Sequence, residues 1–206
     1  MKLINWASTF IQLLPFITCL FYKAFNPQLK ALYLYFFLSL VTELTSAFPQ
    51  LFHMRSSNLS VEIFTICETL IILFIYQKEF DFKNKYLIPL LQLAFLIFAL
   101  SRFSFSPTEY NSAESTVEGI MLMSFAIAYF FKLSNNITIP RLTGFYFFWL
   151  NTAFLFYFSS SFFLFLYSHV PYVSKILWTI HNIFNIIYNV LLTIGVVKTK
   201  TSPRTI

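Results

Sequence analysis

Apolar residues come in seven runs of roughly twenty, the length a helix needs to cross a hydrocarbon core of about 30 Å. They lie near 4–22, 31–52, 59–77, 86–104, 112–132, 143–168 and 172–197. Polar joints separate them. Asn26-Pro27 breaks the first connection, the charged stretch Lys78 to Lys85 forms the third, Ser106-Pro107 precedes the fifth run and Pro140-Arg141 the sixth. Pro171 suits the first turn of the seventh, where its missing amide hydrogen costs nothing. The pattern predicts an all-α, polytopic membrane protein, a seven-transmembrane-helix bundle. The domain plan is a transmembrane unit over 1–198 and a short basic tail over 199–206.

Composition agrees. The chain is 58% hydrophobic and 11% charged, against about 25% charged for a soluble domain. So few charges cannot cover a water-soluble surface. With 3 Gly and 29 Phe in 206 residues, it is neither disordered nor fibrous. The first run lacks an A-x-A cleavage site, so it reads as a retained span. Cys19 and Cys67 fall at different depths and outside metal-type spacings, which predicts two unlinked thiols.

The net charge of +6 raises nucleic acid as a partner. The basic residues sit in short joints, however, where the positive-inside rule accounts for them. Lys23, Lys30, Lys78, Lys83, Lys85, Lys132, Arg141, Lys198, Lys200 and Arg204 fall on one side; Lys2, Arg55, Arg102 and Lys175 fall on the other. That asymmetry predicts an N-out, C-in orientation in a bacterial inner membrane. The tail from Lys198 to Arg204 is expected to meet anionic headgroups.

Against this background, Glu43, Glu68, Glu118 and His181 stand out. A carboxylate at the bilayer centre costs about 2.5–3.5 kcal/mol on insertion scales, so such residues face protein or water and are kept for a task. Counting at 1.5 Å per residue puts each on the order of 9–14 Å below the outer surface. Four costly groups at one level predict one shared site.

Helical periodicity adds to it. Tyr35, Ser39, Thr42, Glu43, Ser46 and Gln50 share one face, and Glu62, Thr65, Glu68 and Thr69 another. In the last run Ser174, Trp178, His181, Asn185, Tyr188 and Asn189 form the longest polar stripe. Asn182, Asn189 and Ser159 to Ser161 read as hydrogen-bonding glue between helices.

Two functional readings follow. In the first, the chain is a sensor that binds a small polar or cationic ligand from outside, with Asn185, Trp178 and Tyr188 reading it and Glu62 and Glu114 forming an acidic rim. It would signal to a separate cytoplasmic protein at the basic loops. In the second, the same carboxyls and imidazole carry protons or cations in a transporter or channel, with a homo-oligomer in the bilayer as one form of it. An intramembrane hydrolase is a third. No zincin H-E-x-x-H, phosphate-binding glycine loop or mid-span lysine for retinal is present, and His181 is followed one turn later by Asn185 rather than His. No cofactor is implied, and the sequence leaves the identity of any metal open.

Trp178-Thr-Ile-His181-Asn182-Ile-Phe-Asn185-Ile-Ile-Tyr-Asn189 resembles the last span of small uncharacterised seven-helix membrane proteins of Bacteroidetes. Leu38-Ser39-Leu40-Val41-Thr42-Glu43 is similar to their second span. The resemblance implies the fold; those proteins have no assigned activity, so it implies no function.

Overall fold

The computed structural model describes residues 2–22, 28–47, 58–80, 86–103, 112–135, 142–166 and 171–200. All regular structure among them is helical: α1 Lys2–Ile11, α2 Leu13–Tyr22, α3 Gln28–Ala47, α4 Asn58–Glu79, α5 Leu87–Arg102, α6 Ser112–Ser134, α7 Tyr146–Leu166 and α8 Pro171–Lys198. A 3-10 turn at Leu142–Gly144 leads into α7. Four helical stretches are long and apolar enough to cross a membrane: Asn58–Glu79, Ala113–Ser134, Tyr146–Leu164 and Ile176–Lys198. Trp6–Tyr22 and Leu87–Arg102 are shorter apolar stretches. With 16 residues, α5 spans only about 24 Å at 1.5 Å per residue.

Each of the seven apolar runs contains helix, with two departures. The first run is split at Gln12, where α1 stops and α2 begins. Pro15 provides a physical reason. It has no amide hydrogen, and its ring crowds the carbonyl four residues back, at Ile11. The second run was expected to reach residue 52; α3 ends at Ala47 and the remainder lies outside the described residues. Pro171 opens α8, as its fixed φ favours.

The helices close into a ring. α8 packs on α7, α7 on α6, α6 on α4, α4 on α3, α3 on α2, and α1 and α2 return to α8. α5 stands outside the ring against α4, where Gln92 Nε2 donates to the Leu70 carbonyl at 2.9 Å.

The pattern of burial is that of a protein whose solvent is lipid. Glu62, Thr65, Glu68 and Thr69 of α4 are buried, while Ile63 and Phe74 of the same helix are exposed. On α5, Leu90, Leu93, Ile97 and Leu100 all face outward. Polar groups inside and apolar groups outside reverse the soluble arrangement and match a membrane bundle. Between them lies an aromatic core. Tyr76 contacts Phe80, Phe125, Phe147 and Phe154, with ring arrangements from stacked to edge-on that suit the ring quadrupole. At the Lys132 end of α6, the lysine Nζ donates to the Glu79 carbonyl at 2.7 Å, and the Tyr146 hydroxyl donates to the Glu79 carboxylate. These two bonds tie α4, α6 and α7 together.

Candidate functional site

The polar side chains predicted to converge separate into three groups. The central group joins α3, α4, α6, α7 and α8. Tyr35 donates its hydroxyl to Glu68 Oε1 at 2.8 Å, and its oxygen lies 2.6 Å from the Tyr188 hydroxyl. Tyr35 has one hydrogen, and Glu68 receives it, so Tyr188 is the donor to Tyr35. The result is a directed chain: Tyr188 to Tyr35 to Glu68. The Tyr157 ring stacks on Tyr188 with centroids 4.5 Å apart.

One residue along α4, Thr69 reaches the other acid. Its Oγ1 lies 2.7 Å from Glu118 Oε1 and 2.8 Å from the Thr65 carbonyl. A hydroxyl has a single hydrogen. Either the two acceptors share it, or Glu118 is neutral and donates to Thr69, which then donates to Thr65. Glu118 is within electrostatic reach of both Glu68 and Glu114. Glu68, Glu114 and Glu118 are buried, at 3%, 1% and 4% exposure. Glu62 is also buried. Expected at an open rim, Glu62 and Glu114 are instead enclosed by the bundle.

The second group surrounds Glu43. Thr9 Oγ1 donates to its Oε1 at 2.6 Å and Gln12 Nε2 to its Oε2 at 3.4 Å. Glu43 therefore faces the α1–α2 break. It lies eight residues beyond Tyr35 on α3, about 12 Å along the axis.

The third group follows α8. His181 Nδ1 lies 3.2 Å from Ser161 Oγ of α7, and the imidazole packs against the rings of Tyr157 and Trp178. Among the described residues no glutamate is hydrogen-bonded to it. Trp178, expected inside a ligand pocket, is 52% exposed. Asn185 Nδ2 donates to Ser8 Oγ at 2.9 Å, and Asn189 Nδ2 donates to the Asn185 side chain and carbonyl. Asn185 thus joins α8 to α1, while the Asn189 bonds stay within α8, one turn apart, rather than gluing helices as expected.

The single shell of Glu43, Glu68, Glu118 and His181 is thus not what the structure contains. Similar depth brought Glu68 and Glu118 within electrostatic reach, but Glu43 turns to Thr9 and Gln12 and His181 to Ser161. Among the described residues no three His, Cys, Asp or Glu side chains gather as a metal site. Both cysteines are free thiols.

Tyr35, Thr69, Tyr157, Gln12, Thr9 and Ser8 were not among the expected site residues. Tyr35 and Thr69 lay on the polar stripes, which was their signal. Tyr157 gave none, since α7 is aromatic all round. Gln12 stood in an apolar run three residues before Pro15, a conspicuous pairing. No protein-family model, curated protein or solved structure matches the chain.

Proposed function

We propose that this chain is a proton-handling integral membrane protein, a proton-coupled transporter of the bacterial inner membrane. In this reading it crosses the bilayer seven times, N-out and C-in, with α1 and α2 together making the first crossing. The observation that carries the reading is the Tyr188–Tyr35–Glu68 hydrogen-bond chain beside Glu118, which joins α3 to α4, α6 and α8, the last three long and apolar enough to span a membrane. Carboxyls in such surroundings mark proton relays or ion pathways. Ionising Glu68 and Glu118 together is opposed by their repulsion, which is strong at low dielectric. A proton held by the pair relieves it. A proton leaving Tyr35 for an ionised Glu68 is replaced from Tyr188, and the relay turns over when Tyr188 takes a proton from water at its end of the chain.

The sensor reading is less well supported. It needs Trp178, Asn185 and Tyr188 around one ligand, yet Trp178 lies half-exposed while Tyr188 is buried and bonded to Tyr35.

Reconstituted vesicles with an entrapped pH-sensitive dye and an imposed membrane potential test the proposal. Wild-type protein should carry protons, and Glu68→Gln and Tyr35→Phe should abolish the flux. Vesicles that behave as protein-free ones would overturn it, as would undiminished flux in both variants.

A further inference from the structure

The break in the first apolar run marks a second site. Gln12 is the one polar side chain between Thr9 and Thr18, and it sits where α1 gives way to α2. Pro15 supplies no hydrogen to the Ile11 carbonyl, so a main-chain oxygen loses its helical donor at the same turn. Non-helical backbone at membrane depth persists where it is buried in protein or lines a cavity. In secondary transporters, unwound segments of this kind coordinate ions.

Opposite the break, α3 presents Ser39 and Glu43, one turn apart. Ser39 Oγ donates to Gln12 Oε1 at 3.0 Å. Gln12 is buried, at 8% exposure. Both oxygens of Glu43 accept hydrogen bonds, from Thr9 at 2.6 Å and Gln12 at 3.4 Å. The partners of this carboxyl at both oxygens are neutral side chains. The Gln12 contact is long for a bond to a charged acceptor, which is usually about 2.7–2.9 Å. A further turn along α3, the enclosed Ser46 Oγ has no hydrogen-bond partner.

We infer that the α1–α2 break and the facing turn of α3 form a binding site for a dehydrated monovalent alkali cation, held by the Glu43 carboxylate, the Thr9 and Ser39 hydroxyls and the Gln12 side-chain oxygen. All four donors are hard oxygens, the set that alkali and alkaline-earth cations prefer over transition metals. One carboxylate balances one positive charge, which favours a monovalent ion over calcium, whose sites gather several carboxylates and carbonyls. Loading needs a half-turn of the Gln12 amide. Nε2 then donates to Ser39 Oγ, and Oε1 turns toward the carboxylate, with the ion between them. The site is separate from the Glu68–Glu118 layer and does not rest on the proton-handling reading.

Thermal unfolding of the full chain in detergent tests this, with NaCl or KCl compared against choline chloride at equal ionic strength. Choline is too large for the site. A ligand that binds only the folded state raises the unfolding temperature, so the alkali salt should raise it and the effect should saturate. The shift should vanish in Glu43→Gln and Gln12→Leu and persist in Glu68→Gln. Thr9→Val should weaken binding of radioactive sodium in a direct equilibrium assay while the helical circular dichroism stays unchanged. Identical unfolding in all three salts would overturn the inference. A shift retained by Glu43→Gln, or lost in Glu68→Gln, would also overturn it.

Discussion

Tyr35 and Tyr188 bring their hydroxyl oxygens to 2.6 Å from helices at opposite ends of the chain, and Tyr35 passes the contact on to Glu68 at 2.8 Å. Two phenols and a carboxyl in a row, all buried, leave little freedom in who donates to whom. The order has consequences that differ for the two tyrosines.

Removing the middle of a chain harms both ends. Tyr35→Phe leaves the Glu68 carboxyl without its donor and the Tyr188 hydroxyl without its acceptor. A buried polar group stripped of its partner costs about 1–3 kcal/mol. Tyr188→Phe removes only the outermost donor and keeps the Tyr35–Glu68 bond. Denaturation in detergent should therefore show Tyr35→Phe as the less stable variant. The opposite order would mean that Tyr35 is not the link between Tyr188 and Glu68.

The spans were legible in the sequence because a bilayer imposes a length. Runs such as 59–77 and 172–197 have little freedom to be anything but helix, and α4 and α8 follow them. Lateral arrangement had no such signal. Glu43 and Glu68 count to a similar depth, but which neighbour each faces depends on helix rotation and tilt. Gln12 and Thr9 draw Glu43 toward the first span, while Tyr35 takes Glu68. Tyrosine side chains added to the difficulty. Their hydroxyls lie far from the backbone, so Tyr35 bonds across the bundle although it sits two turns from Glu43. His181 looked like a fourth member of the shell on the same argument, yet a serine on α7 was its partner.

Two helical glycines should respond oppositely to an added methyl group. A Cβ at Gly195 would meet Leu150 Cδ2 at 2.7 Å and the Tyr146 carbonyl at 3.3 Å, where α8 crosses α7. Leu150 is fully buried and has little room to yield, so Gly195→Ala should cost about 1–3 kcal/mol, the usual range for overpacking. At Gly119 the nearest atom is the Phe158 carbonyl at 3.9 Å, an ordinary contact. Gly119→Ala should be neutral or gain about 0.5–1 kcal/mol from the lower conformational freedom of the unfolded chain. Unfolding temperatures of the two purified variants compare them directly.

Tyr76 and Asn151 form a polar pair inside the aromatic core. The Tyr76 hydroxyl donates to Asn151 Oδ1 at 2.6 Å, and Asn151 Nδ2 donates to the Ala126 carbonyl at 3.0 Å. Together they link α4, α7 and α6. Asn151→Leu should be strongly destabilising, because it strands a buried phenol. Adding Tyr76→Phe should recover part of the loss, since two apolar groups leave nothing unpaired. A double-mutant cycle measured by unfolding should give a coupling of about 0.6–2 kcal/mol, the range for hydrogen bonds between membrane helices. Additive losses would show that the pair adds nothing to helix association.

The proposed orientation makes opposite demands on the ends of two helices. α5 runs outward to Arg102 and α8 runs inward to its end at Lys198, so Arg102 and Lys200 should lie on opposite sides of the membrane. Both are exposed in the bundle, so each accepts a cysteine without disturbing the core. The background is Cys19→Ala with Cys67→Ser, which removes both free thiols. A membrane-impermeant maleimide added to intact cells with a permeabilised outer membrane should label Arg102→Cys and spare Lys200→Cys until the inner membrane is opened. The reverse pattern would invert the topology that the lysine and arginine distribution implies. Labelling of both in intact cells would mean that an even number of crossings separates them, whereas seven spans require three, by α6, α7 and α8.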